Sequence, residues 1–225
     1  MTTLTTRRFA TRAELDAALA DRLGRFLADA PAGGESVMLS GGTTPLPAYR
    51  ALGARKIIPG PGLRVLFSDD RYVPASSPAS NYHQSQPLLE ALALPAQRVL
   101  RVRTELPLQA AAADYAAQLA TLQGSGGVGL GLLGLGADGH TASLFGAADL
   151  ERARGQLAIA VQRPDGMSGV SVTPRFLAQV RELTFVVAGA GKDDAIRRLM
   201  AQDPTLTAWA AVQECVAVTL WVQQD

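Results

Sequence analysis

In 225 residues, 48% are hydrophobic and 18% charged, a balance that gives a globular chain with a sizeable core and excludes a disordered one. The formal net charge is +1, which leaves no basic footprint for nucleic acid and no acidic tail. No stretch reaches the roughly twenty uninterrupted apolar residues of a membrane span. The single cysteine, Cys215, excludes an intrachain disulfide and a cysteine-based metal cluster, and in Cys215-Val216-Ala217-Val218 it reads as a small buried residue. The first residues, Met1 to Phe9, lack the apolar core of a signal peptide. The expectation is a cytoplasmic α/β protein that handles a small molecule, with neither nucleic acid nor membrane as partner.

Thr11-Arg12-Ala13-Glu14 has the spacing of a capping box, and Leu15, Leu19, Leu23, Phe26 and Leu27 follow at helical period. That first helix should end near Pro31-Ala32-Gly33-Gly34. Short apolar runs then alternate with helical segments. Strands are predicted over 37–39, 63–67, 99–102 and 128–135, then over 157–161, 170–172, 183–188 and 216–222. Helices are predicted over 45–52, 82–92, 108–122, 175–180 and 193–200. The glycine-rich stretch 123–127 is short enough for a simple loop, so the chain reads as one domain over 1–225. Strands alternating with helices predict an α/β fold, a mainly parallel sheet with helices on both faces. Ligands of such sheets bind outside the carboxyl ends of the strands, so the loops leaving the strands are where chemistry is expected.

Four of those loops carry polar groups. Ser40-Gly41-Gly42-Thr43-Thr44-Pro45 joins a strand to a helix, with Thr44 placed to cap that helix and Pro45 suited to its first position. Its glycines let the backbone approach a ligand, and free N–H groups at the helix start attract an anion; an ordinary tight turn has the same composition. Ser68-Asp69-Asp70-Arg71 ends the next strand, where the arginine can hold a phosphate or a developing negative charge. Two aspartates without nearby histidines make a poor metal site. Gly134-Leu135-Gly136-Ala137-Asp138-Gly139 formally matches the dinucleotide fingerprint, yet His140 stands where the long helix should begin, and Asp165 is a poor candidate for the acidic residue of the next strand. His140 follows an apolar run and has Asp138, Thr141 and Ser143 beside it, a setting for a proton acceptor near neutral pH. His83 has no such setting and reads as surface. Gly189-Ala190-Gly191-Lys192 repeats the pattern of strand, glycine turn and helix start, and Lys192 there either meets a phosphate or is an exposed lysine at a helix terminus.

Together the four loops resemble the 6-phosphogluconolactonase family, grouped with the glucosamine-6-phosphate isomerases. The resemblance rests on Ser40 to Pro45, on Ser68-Asp69-Asp70-Arg71 with Ser80-Asn81-Tyr82, on the unbroken run from Gly134 to Phe145, and on Gly189 to Lys192. It implies a ribose-5-phosphate isomerase/CoA-transferase-like fold and hydrolysis of 6-phospho-D-glucono-1,5-lactone without metal or organic cofactor. The candidate catalytic residues are His140 as general base, Arg71 for charge stabilisation and Asp69 for orienting the site. Gly41, Gly42, Thr43, Asn81 and Lys192 are the candidates for holding substrate and phosphate. The chain is expected to act as a monomer or homodimer on a sugar-phosphate lactone. A deaminase of glucosamine 6-phosphate is the rival of closest fold, but its glutamate beyond the histidine has no counterpart in His140-Thr141-Ala142-Ser143-Leu144-Phe145. Two further rivals are a nicotinamide-dependent dehydrogenase built on the glycine fingerprint and a non-catalytic sugar-phosphate sensor. One departure from the family is larger than the rest: the arginine that it places before the last Thr-Leu-Thr is replaced by Gly169, with Arg163 and Arg175 as candidate substitutes.

Overall fold

The structure is a computed structural model and describes residues 2–55 and 57–223. Strand β1 (Thr3–Phe9) leads into α1 (Arg12–Asp29). The predicted capping box forms: Thr11 Oγ1 accepts from the Glu14 N–H at 3.2 Å, and the Glu14 carboxylate accepts from the Ala10 N–H at 3.0 Å. Leu15, Leu19, Leu23 and Leu27 make the buried stripe of this helix. There follow β2 (Glu35–Leu39), α2 (Leu46–Gly53), β3 (Leu63–Phe67), β4 (Asp69–Arg71), α3 (Asn81–Gln84), α4 (Gln86–Leu92) and α5 (Leu108–Ala120). The second half holds β5 (Val128–Leu133), α6 (Ala147–Arg152), β6 (Ala158–Gln162), β7 (Ser168–Val172), α7 (Pro174–Leu177), β8 (Val180–Ala188), α8 (Asp193–Met200), α9 (Thr207–Val212) and β9 (Ala217–Gln223).

Six strands form one parallel sheet in the order β1-β9-β8-β5-β2-β3. Successive side chains point to opposite faces, as strand geometry requires, and both faces are covered. Val37, Leu39, Val65, Phe67 and Leu132 pack with α1, α2 and α4, while Met38, Leu66, Leu133, Phe185 and Leu220 pack with α5, α7, α8 and α9. Each face thus has its own core. From β2 the chain continues to β3 on one side, whereas β5 hands on to β8 on the other. Loops leaving two neighbouring strands in opposite directions open a crevice at their carboxyl ends.

Several expectations need correction. The strands predicted over 157–161 and 170–172 form, but they join β4 in a separate antiparallel sheet, ordered β4-β7-β6. Strand β1 was not expected, because at the sheet edge it fully buries only Phe9 and, Leu4 apart, is otherwise polar. The helix over 82–92 is two helices divided at Ser85, whose hydroxyl donates to the Asn81 carbonyl at 2.9 Å; Pro87 lacks the N–H that would continue the ladder. The segment 99–102 contributes a lone bridge, Val99 to Val65, and not a strand. The helix predicted over 175–180 runs from Pro174 to Leu177, and Val180 already belongs to β8. The six-residue α6 and α9 were not expected; each is too short to display a helical period. None of the described helices is long and apolar enough to cross a membrane.

Candidate active site

At the β2/β5 crevice lies a cleft of about 220 Å³. All four loops reach it. His140, Asp69, Arg71, Gly41, Gly42, Thr43, Asn81 and Lys192 line it, and Arg163 joins them from beyond β6. Arg175 is elsewhere, donating to the Gly155 carbonyl. His83 sits half-buried on α3 and is not part of the lining.

His140 is held by its own loop. Its Nδ1 lies 2.5 Å from Asp138 Oδ1, and its backbone N–H donates to the same oxygen at 3.2 Å. A carboxylate at Nδ1 fixes the proton there and leaves Nε2 with the lone pair of a base. Partial burial works to raise the Asp138 carboxyl, but the hydrogen bonds from His140 outweigh it and hold that carboxyl below its ordinary value. The imidazole also packs on Phe145, ring centres 4.7 Å apart. Gly136 makes this possible: a Cβ there would fall 2.1 Å from His140 Nδ1 and 2.4 Å from Asp138 Oδ1. The Gly136 N–H closes the loop on the His140 carbonyl at 2.9 Å. The next helix, α6, begins only at Ala147, so the glycine run is a histidine-presenting loop and not the strand-to-helix turn of a dinucleotide site. The carboxylate in contact with His140 Nδ1 is Asp138, two residues away in sequence.

Asp69 and Asp70 point opposite ways from the short strand β4. Asp69 is buried against the cleft, where it accepts from Ser68 Oγ at 2.8 Å and Ser143 Oγ at 2.6 Å. Ser143 Oγ in turn accepts from Arg163 Nη1 at 2.8 Å. Asp70 turns to the start of α3 and accepts from Asn81 N at 2.6 Å, Arg71 N at 2.9 Å and Ser80 Oγ at 2.9 Å. Burial pushes the Asp70 carboxyl up to about 6, against the lowering effect of its hydrogen bonds from Asn81, Ser80 and Tyr82. Asn81 ties the start of α3 to β4, Nδ2 donating to the Asp69 carbonyl at 2.9 Å and Oδ1 accepting from Arg71 Nη1 at 3.0 Å. A Cβ at Gly41 would fall 1.9 Å from that Oδ1, so the glycine loop packs directly on the asparagine. Arg71 Nη1 also donates to the Ala79 carbonyl at 2.9 Å, while its buried Nε has no hydrogen-bond partner among the described residues. That Nε–H is a donor kept out of water and left without a partner among the described residues, a cost that the packing around Arg71 carries.

The strand ends are pinned by two phenols. Tyr49 Oη accepts from Ser40 N–H at 3.2 Å and donates to Ser40 O at 2.9 Å, and Tyr115 Oη does the same for Phe67 at 3.0 and 2.5 Å. Gly42, with φ +87°, then carries the chain over the cleft. The expected cap is not made: Pro45 holds the N-cap position of α2 without a side-chain bond, and Thr44 is buried, its carbonyl accepting from Arg12 at 2.9 Å. Lys192 occupies the N-cap position of α8, where burial lowers its ammonium pKa. Among the described residues no three His, Cys, Asp or Glu side chains cluster as metal ligands would. Cys215 is buried and its thiol is pushed up to about 12, as expected of a packing residue.

Comparison with known proteins follows the same lines. Residues 10–221 match the family described as glucosamine-6-phosphate isomerases/6-phosphogluconolactonase. The chain is 34% identical over 173 residues to a 6-phosphogluconolactonase of Nostoc sp., covering 74% of this chain and 71% of that one. It is 32% identical over 206 residues to the 6-phosphogluconolactonase of Homo sapiens, covering 85% and 80%. The crystal structure of the 6-phosphogluconolactonase from Thermotoga maritima superposes with a TM-score of 0.81 at 26% identity, covering 100% of each chain.

Proposed function

The chain belongs to the glucosamine-6-phosphate isomerase/6-phosphogluconolactonase family, and on that premise we propose that it hydrolyses 6-phospho-D-glucono-1,5-lactone to 6-phosphogluconate, in the oxidative pentose phosphate pathway, with His140 as the general base. The observation that carries this reading is the His140–Asp138 pair, 2.5 Å apart, presented to a cleft that also holds Arg71. His140 Nε2 takes a proton from water as the water oxygen bonds to the lactone carbonyl carbon. The carbonyl electrons move to oxygen, and the Arg71 guanidinium stabilises the oxyanion. Collapse breaks the bond from that carbon to the ring oxygen, which leaves with the proton from the imidazolium. Asp138 steadies the imidazolium between the two transfers. Asn81 fixes the position of Arg71, and Asp69 that of the Ser143 loop. Backbone N–H groups at Gly41, Gly42 and Thr43, with the Lys192 ammonium, take the phosphate.

The reading uses no metal and no organic cofactor, and a single copy of the chain supplies every residue in it, so it holds for monomer or homodimer. Its test is hydrolysis of lactone generated in situ, measured against the spontaneous rate with and without EDTA. Acceleration that EDTA leaves intact is expected. A rate equal to that of buffer, with 6-phosphogluconate still bound, would make the chain a sensor; ammonia released from glucosamine 6-phosphate would make it a deaminase.

A further inference from the structure

Gly169 sits in the middle of the small sheet, paired with Arg71 on β4 and with Val161 on β6. Directly opposed residues of antiparallel strands share a face, so a side chain at 169 would rise beside Arg71. That place is already taken. A Cβ on Gly169 would lie 3.4 Å from Arg163 Cδ and 3.0 Å from the Asp70 carbonyl. Arg163 comes from the turn between β6 and β7, where its N–H donates to the Met167 carbonyl at 2.9 Å, and its stem crosses the bare backbone of Gly169. Its side chain is only 10% exposed, and its guanidinium lies 5.3 Å from the Phe145 ring centre, donates to Ser143 Oγ and stands 3.9 Å from Asp69. Asp165, out at the rim, holds its Nε at 3.1 Å. A guanidinium has five N–H donors in a planar fork that suits phosphate oxygens, so these partners orient it without exhausting it.

We propose that Arg163 is a specificity-determining ligand for the phosphate of the substrate, its side chain reaching across Gly169 to the cleft where a residue at 169 would otherwise point. This rests on the lactonase reading for the identity of the substrate, but not for the binding that tests it. Gly169 is then part of the device, since a Cβ there already touches Arg163 Cδ at 3.4 Å and a longer side chain would compete with Arg163 for the same path.

The test uses the full chain with Arg163→Ala, Gly169→Arg and the two combined. For Arg163→Ala, KM for the phosphorylated lactone and Kd for 6-phosphogluconate should both rise about 10-fold or more, with kcat within about 2-fold and hydrolysis of unphosphorylated gluconolactone little changed. The backbone at 169 lies outside the left-handed region, and with Arg163 cut back a Cβ there meets the Asp70 carbonyl at 3.0 Å, a fit that the edges of the small sheet must relax slightly to take. Gly169→Arg in the Arg163→Ala background should therefore recover much of the lost affinity, because the deleted stem vacates the path. In the presence of Arg163 the same substitution should weaken binding. Thermal melts identify any variant that loses affinity by unfolding, and the recovery in the combined variant is a readout that unfolding does not give. A wild-type enzyme that turns over lactone while Arg163→Ala keeps the same KM and Kd overturns this inference and leaves the lactonase reading standing. Wild-type binding of 6-phosphogluconate without turnover, lost in Arg163→Ala, does the reverse.

Discussion

An imidazole accepts a proton effectively only when its tautomer is fixed, and in this chain one contact fixes it. Asp138→Asn keeps the shape of the His140 loop but can present an N–H to Nδ1 and favour the wrong tautomer. The expected outcome is a fall in kcat of about 10-fold or more, with KM for the phosphorylated lactone unchanged. Steady-state kinetics on the purified variant checks it; a rise in KM alone would move Asp138 from chemistry to binding. Asp70, pushed up to about 6, makes a statement about stability instead. The folded chain keeps this proton up to about pH 6, whereas the unfolded chain releases it near 3.8, so the folded state binds more protons between those values. By linkage this group makes the fold less stable as pH rises through that window. Relative to Asp70→Asn, the wild type should therefore lose roughly 2–3 kcal/mol of unfolding free energy between pH 4 and pH 7. Urea titrations of both proteins at the two pH values measure it, and a difference that stays constant or grows with pH contradicts the assignment.

At the scale of elements, the site depends on how strand ends are fastened to the loops that follow. Tyr49→Phe removes the hydroxyl that serves both the N–H and the carbonyl of Ser40. Leaving those buried groups unpaired should cost about 1–3 kcal/mol, and the freed glycine loop should raise KM for the phosphorylated lactone. Denaturant midpoint and KM should shift together; a stability loss with KM untouched would detach the loop from phosphate binding. The loops were readable in the sequence because glycine, hydroxyl and charged residues follow short apolar runs, a local signal. Helix α8 and the cap at Thr11 were readable for the same reason, their residues being neighbours in the chain. The break at Ser85, the edge strand β1 and the antiparallel partners of β4 depend on what lies alongside them, which period and composition do not encode.

The whole molecule turns four separated loops into one site by its strand order. Parallel strands deliver every loop to the same end of the sheet, and the divergence of the chain between β2 and β5 leaves room there for a ligand. That is why His140, Asp69, Arg71, Gly41, Gly42, Thr43, Asn81 and Lys192, chosen from sequence, line a single cleft. Arg163 could not be chosen over Arg175 in the same way, since its position follows from the β6–β7 pairing and from the missing side chain at Gly169. The central claim, that His140 moves the proton of the attacking water, is tested most directly by comparing lactone hydrolysis in the wild type, His140→Ala and His83→Ala. The account expects kcat to fall by about 10²-fold or more in His140→Ala while 6-phosphogluconate binds as before, with His83→Ala close to the wild type. Equal rates in the two variants, or a His140→Ala enzyme as fast as the wild type, would contradict it.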